Sequence, residues 1–169
     1  NDTAVRNNGG GFLHDAVNIV NMFVPMNETV VTTKGRKHSK MYAANYPPQD
    51  LDIPVVVLIN NRSASASEIV SGGLQDLDRA VIIGTNSFGK GLVQNTRPTK
   101  YRTQVKITIA KYYTPSGRCI QLKDYAHRNE DGSAGVIADS LRQEFKTKNG
   151  RIVKDGGGVF PDIEIKKEP

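Results

Sequence analysis

Residues 55–83 read VVVLINNRSASASEIVSGGLQDLDRAVII, and this stretch decides the fold. Val55 to Ile59 is a continuous β-branched and apolar run, the pattern of a strand covered on both faces and therefore of a parallel sheet. Asn60 to Ser65 is a small polar turn. Ala66 to Leu77 places Ile69, Gly73, Leu74 and Leu77 on one side of a helix, and Ala80 to Ile83 is a second buried strand. Strand, helix and strand within 29 residues make a βαβ unit, for which a right-handed crossover is expected.

Working outward, Asn7 to Gly11 is a Gly/Asn loop of the kind that lets backbone amides approach a ligand. Phe12 to Val24 carries Leu13, Ala16, Val17, Val20 and Val24 at helical spacing, and Pro25 stops that helix. Thr29 to Thr33 and Lys40 to Ala44 read as two strands around a Lys/Arg/Gly turn, followed by a Pro-containing connection from Tyr46 to Asp52. Downstream, Gly84 to Gly91 is a loop. Leu92 to Thr96 and Thr103 to Tyr113 are strands, the second alternating as Val105, Ile107 and Ile109. Pro115 to Gly117 is a turn. Val136 to Phe145 is expected to be a helix with Ile137, Leu141 and Phe145 on one face, and Val159 to Ile165 a short edge element. The fold class is α/β with mixed strands. Only Asn1 to Arg6 precedes the glycine loop, and it is barely apolar, so no opening strand is expected there. The chain is expected to begin inside a larger domain whose truncated sheet exposes an edge.

Composition limits the function classes. The 169 residues suit one domain, with 37% hydrophobic and 24% charged residues, enough for a packed core. No apolar run approaches the roughly 20 residues needed to cross a bilayer, and the first residues carry no secretion signal. The single cysteine, Cys119, excludes an intrachain disulfide and a multi-cysteine zinc site. Lys and Arg outnumber Asp and Glu by 23 to 17, giving +6. The cations are scattered in three groups without the basic and aromatic density of a nucleic-acid face, so no nucleic-acid partner is expected.

Two constellations can carry chemistry. The first, Ser63-Ala64-Ser65-Ala66-Ser67-Glu68, follows a buried strand and opens a helix. A serine there sits at the positive end of a helix dipole, and the backbone amides at the helix start can stabilise an oxyanion. The same residues also fit helix capping, with Ser65 and Glu68 as a capping box. The second is Phe88-Gly89-Lys90-Gly91, then Gln94, just past the second strand of the same unit. A serine hydroxyl needs a base to remove its proton. A lysine serves as that base only as the neutral amine, a form favoured by burial or by nearby positive potential. The helix start near Ser65 offers that potential, Phe88 offers apolar cover, and Gln94 offers an uncharged partner for the amine.

Two competitors fit less well. None of His14, His38 and His127 lies just after a buried strand, where a histidine base would be wanted. Gly84 to Lys90 matches the phosphate-binding pattern G-x-x-x-x-G-K, but Gly91 replaces its Ser/Thr and a strand follows in place of a helix.

In these segments the sequence resembles the carboxyl-terminal processing peptidases, the tail-specific serine proteases of Ser-Lys type. The resemblance runs from about Arg6 to Ile165. It is carried by Arg6 to Gly11, Ser63 to Ile69, Ala80 to Gln94, the Thr-Pro-Ser-Gly-Arg run within Tyr112 to Gln121, and Gly158 to Asp162. It implies a crotonase-like mixed α/β sheet with βαβ units, and a chain that forms the C-terminal part of a protease catalytic domain. It further implies Ser65 as nucleophile, Lys90 as general base and Gln94 as its support. The oxyanion donors would be the backbone N–H of Ala66 and that of Gly10 or Gly11. Where the family usually has proline before its paired glycines, this chain has Gly9. The implied substrates are polypeptides, cleaved near their C-termini without metal or organic cofactor. An upstream PDZ domain, for which this chain has no room, a periplasmic or other extracytoplasmic location, and membrane association through the parent protein also follow from the resemblance. The rival reading is a non-catalytic ligand- or peptide-binding module on the same fold.

Overall fold

The computed structural model describes residues 2–165. In chain order the elements are β1 (Asp2–Ala4), α1 (Leu13–Asn21), β2 (Thr29–Gly35), β3 (Ser39–Ala43), β4 (Val55–Ile59), α2 (Ala66–Asp76), β5 (Ala80–Gly84) and β6 (Leu92–Pro98). They continue with β7 (Gln104–Tyr113), β8 (Lys123–Arg128), β9 (Ala134–Val136), β10 (Glu144–Lys146), β11 (Ile152–Lys154) and β12 (Ile163–Glu164).

The expected βαβ unit is present. β4 and β5 pair in parallel from Val55 opposite Ala80 to Ile59 opposite Gly84, with α2 between them in sequence. They form the centre of a parallel sheet of order β1-β4-β5-β12. A second, antiparallel sheet has the order β3-β2-β7-β6. The core joins both sheets to the helices: Val17 and Val20 of α1, Val30 and Val31 of β2, Val57 and Ile59 of β4, Ile69 and Leu74 of α2, and Ile82 of β5 are all buried.

Three expectations are corrected. Residues 2–4 do form a strand, paired in parallel with β4 from Val56 to Leu58, and Val5 N–H continues the ladder to the Leu58 carbonyl at 3.1 Å. Backbone pairing to an already buried strand makes this edge, so little apolar signal is needed in the sequence. Residues 136–145 are not a helix. They run from the end of β9 through a 3₁₀ turn at Asp139–Leu141 into β10. Their backbone groups have remote partners: Ile137 N–H donates to the Leu122 carbonyl at 3.0 Å, Gln143 N–H to Asp155 Oδ1 at 2.8 Å, and β10 pairs with β11. Leu141 is 72% exposed, so the four-residue spacing of Ile137, Leu141 and Phe145 marks no common buried face. Finally, α1 ends at Asn21 in a tight turn, before Pro25 is reached. The 159–165 segment is an edge element as expected, its strand confined to Ile163–Glu164 beside β5.

Helix α2 departs from simple amphipathicity. Every residue from Ala66 to Asp76 is buried, including Ser67, Glu68, Ser71, Gln75 and Asp76. Each of these polar side chains has a partner, and several of those partners are far away in sequence. Gln75 donates to the Phe160 carbonyl and to Asp162, both at 2.9 Å. Asp76 pairs at 2.8 Å with Arg118, which is wholly buried. By contrast the β6–β7 hairpin extends into solvent. Val105, Ile107 and Ile109, alternate residues on one face of β7, are 45%, 46% and 50% exposed.

Candidate active site

The three serines of the 63–67 run have distinct environments. Ser63 is fully buried; its hydroxyl donates to the Val5 carbonyl at 2.7 Å and accepts from Asn60 N–H at 3.0 Å, pinning the turn after β4 to the end of β1. Ser67 is also buried and donates to the Asn8 carbonyl at 3.0 Å, which holds the glycine loop against α2. Ser65, between them, reaches solvent and lines a cavity of about 300 Å³. Its backbone is at φ 58°, ψ −116°, a conformation that costs an L-residue about 1–3 kcal/mol. The strain turns the chain sharply from strand to helix and lifts the Ser65 side chain above the start of α2. The carbonyl of Ser65 accepts from Glu68 N–H at 2.9 Å and from Ile69 N–H at 3.1 Å, so backbone groups supply this first turn of hydrogen bonds.

Glu68 is the organising residue. It is fully buried, yet its carboxylate collects four donors: Ser65 N–H (2.8 Å) and Lys90 N–H (2.9 Å) on Oε2, Gly89 N–H (2.7 Å) and the Ser87 hydroxyl (2.5 Å) on Oε1. Burial pushes its pKa up, against the pull of these donors. One carboxylate therefore clamps the serine turn to the lysine loop. Tyr112 of β7 adds a second clamp: its buried hydroxyl lies between the Lys90 carbonyl (2.5 Å) and the Ser65 carbonyl (3.1 Å), and burial raises its pKa well above the usual phenol value. Gly89 takes φ +83°, and a Cβ there would meet Leu122 Cβ at 2.5 Å, so only glycine fits the loop at that point.

Lys90 and Gln94 stand in the wall of the same cavity as Ser65, together with Gly11, Ile69 and Tyr112. A register shift between Val93 and Gln94 in the β6–β7 pairing sets Gln94 on that wall. Among the described residues, the Lys90 amine forms no salt bridge, and it is hydrogen-bonded neither to Ser65 Oγ nor to Gln94. Phe88, expected to cover the lysine, is 45% exposed and lies outside this cavity; Leu13 and Ile69 supply the apolar wall. Gly10, at φ +108°, packs so closely that a Cβ would meet the Ala64 carbonyl and Ser65 Cβ at 2.8 Å each. Its N–H is taken by Asn8 Oδ1 at 2.9 Å, whereas Gly11 lines the cavity. The N–H of Ala66 lies at the first position of α2, where no intrahelical acceptor exists.

The competing residues lie elsewhere. His14 stacks edge-on against Tyr42 with ring centroids 5.5 Å apart, and His127 is exposed and pairs with Asp124 at 2.8 Å. None of the three histidines lines the Ser65 cavity. The loop after β5 leads into β6, a strand, as the failed phosphate-binding pattern implies. Among the described residues no group of three or more His, Cys, Asp or Glu side chains could hold a metal ion.

Sequence reasoning assigned Glu68 to helix capping and missed its grip on the lysine loop. It also missed Asn8, Ser87 and Tyr112. A lone acid within an otherwise small and apolar helix start was the available signal.

Residues 5–130 match the family model described as peptidase family S41. The chain belongs to peptidase family S41. It is 47% identical over 119 residues to a carboxy-terminal-processing protease of Bartonella bacilliformis, covering 69% of this chain and 27% of that protein. It is 38% identical over 113 residues to the chloroplastic C-terminal processing peptidase of Tetradesmus obliquus, covering 67% of this chain and 24% of that protein. A solved photosystem II D1 C-terminal processing protease superposes with a TM-score of 0.68 at 28% identity, over 97% of this chain and 34% of that one. The chain thus spans about a quarter to a third of the length of these relatives. The matched S41 region contains the glycine loop, the serine turn, the lysine loop and Gln94, the segments that build the cavity.

Proposed function

We propose that the protein carrying this chain is a serine-type endopeptidase that processes polypeptides near their C-termini through a Ser-Lys mechanism. The observation that carries the reading is the Glu68 carboxylate, which accepts from both Ser65 N–H and Lys90 N–H and so joins the two loops on one cavity. Ser65 Oγ attacks the scissile carbonyl carbon while Lys90, as the free amine, takes the hydroxyl proton. The negative oxygen of the tetrahedral intermediate is met by the N–H of Ala66 and of Gly11, since the Gly10 N–H is already engaged by Asn8. Lys90 then delivers its proton to the leaving amine, and the acyl group stays on Ser65 Oγ. Water gives a proton to Lys90 and attacks the ester carbonyl; the C–Oγ bond breaks, Lys90 returns that proton to Ser65 Oγ, and the acyl product leaves as a carboxylic acid that ionises in solution. Gln94, on the same cavity wall, is the uncharged partner assigned to the amine.

The names of the S41 relatives support polypeptides as substrates. The same kinship supports an upstream PDZ domain in the parent protein, a chain that is the C-terminal part of its catalytic domain, and an extracytoplasmic site of action with membrane association through the parent. Among the described residues no helix is long and apolar enough to cross a membrane.

The test is made on the full-length protein with an unfolded polypeptide substrate. Lys90→Ala is expected to lower turnover by about 10²–10⁴-fold, the usual share of a general base. Wild-type protein is expected to be labelled at Ser65 by a peptidyl phosphonate. Undiminished turnover in Lys90→Ala, or labelling elsewhere, overturns the assignment.

A further inference from the structure

A second and larger cavity, of about 510 Å³, opens beside the first. Its apolar wall comes from Leu92, Cys119, Tyr125, Ile137 and Leu141. Two residues, Leu92 and Gln94, stand in the walls of both cavities. The partition between them is the β6–β7 pair, for β7 gives Lys106 and Tyr112 to the first cavity and Thr108 and Lys111 to the second, and β6 is the edge strand of that sheet. An extended peptide lying along that edge sends successive side chains to opposite faces. With one residue presented to Ser65, its neighbour faces the second cavity. The charged groups around that cavity are of both signs, Lys111 and Lys123 against Asp124 and Asp155, which gives no net preference for a charged occupant. The volume falls in the range of sites that enclose small organic groups, about 300–1,000 Å³.

We propose that this second cavity receives a large apolar side chain of the polypeptide substrate, flanking the bond attacked at Ser65. The inference rests on the peptidase reading for its substrate and on the shared wall for its place. It assigns Leu92, Ile137 and Leu141 to substrate selection, and it makes the β6 edge the rail on which the peptide is held.

Cys119 is partly buried in this wall and serves as the reporter. In full-length Ser65→Ala protein, alkylation of Cys119 by N-ethylmaleimide is followed by peptide mapping, in the presence of uncleaved peptides that differ only in one residue, Phe or Gly. The Phe peptide at ten times its Kd is expected to slow alkylation by about tenfold, as for any occupant that blocks the site; the Gly peptide at the same concentration is expected to have little effect. A companion measurement uses Ala126→Trp, which fills the cavity from an exposed position on β8. Its preference for Phe over Gly substrates in kcat/KM is expected to collapse while phosphonate still labels Ser65. Equal protection by both peptides, protection by neither, or an unchanged preference in Ala126→Trp overturns the pocket. Phosphonate labelling of Ser65 is read separately, so failure of the pocket and failure of the peptidase assignment are distinguishable.

Discussion

At the scale of single residues, the active-site hypothesis turns on backbone geometry as much as on side-chain chemistry. Gly10 sits against Ser65 with no space for a methyl group and with a dihedral that L-residues avoid. Gly10→Ala is therefore expected to displace the serine turn, cutting kcat at least as strongly as it shifts the denaturation midpoint; a variant with normal kcat would show that the contact has slack. Glu68→Gln replaces one oxygen by an amide that faces N–H donors. Leaving such buried donors unpaired is expected to cost about 2–3 kcal/mol in denaturant titration. The pH dependence has a definite sign. The folded pKa of Glu68 lies above the unfolded value of 4.5, so this group's ionisation subtracts stability as pH rises through the folded value. The penalty of Glu68→Gln is accordingly expected to be largest below pH 4.5 and to narrow above it; a penalty that widens with pH contradicts this. Ser65, Lys90 and Gln94 were singled out in the sequence by residue type and by resemblance, and all three line one cavity. The division of labour among Ser63, Ser65 and Ser67 was not legible there. It depends on which hydroxyl finds a carbonyl from the N-terminal loop, and Val5 and Asn8 lie more than fifty residues away.

At the scale of elements, α2 carries the lesson. Its apolar residues predicted the helix and its neighbouring strands correctly. Its polar residues are buried and tie the helix to three separate places: Ser67 to the glycine loop, Glu68 to the lysine loop, and Gln75 and Asp76 to residues beyond β7. Arg118 is the sharpest case: wholly buried, it donates to Gln75 Oε1 and Asp76 Oδ1 at 2.8 Å each and to the Lys154 carbonyl at 3.1 Å. Nothing local in the sequence marks this pairing, because α2 and the turn at Pro115 to Gly117 meet only in the folded chain. Arg118→Met is expected to destabilise the protein by about 3–5 kcal/mol, since it strands the Asp76 carboxylate without its cation. Restoration of much of that loss in the double variant Arg118→Met, Asp76→Asn, followed by the same denaturant titration, would identify the buried charge as the cause. The residues 136–145 failed as a helix for the converse reason: their spacing was helical, but beyond one 3₁₀ turn at Asp139–Leu141 their backbone partners are remote.

At the scale of the whole molecule, two sheets of different kind meet around α1 and α2, with the candidate site at the seam. The centre of the parallel sheet was readable from its βαβ unit, whereas its β1 edge was not, nor was the order of the antiparallel sheet, which pairs β2 with β7 across 75 to 81 residues. Charge is distributed just as unevenly. No Asp or Glu occurs between Asp78 and Asp124, while Arg97, Lys100, Arg102, Lys106 and Lys111 all lie on the projecting hairpin. That arm therefore combines a greasy row, Val105, Ile107 and Ile109, with its own electrostatic fence. In dilute buffer two such arms are expected to repel. Raising ionic strength from 0.1 M to 1 M shortens the screening length from about 10 Å to about 3 Å and takes the fence down. Static light scattering of this chain is expected to climb with sodium chloride, and Ile107→Lys to hold it flat; scattering that falls as salt is added would mean that the arms attract through charge instead.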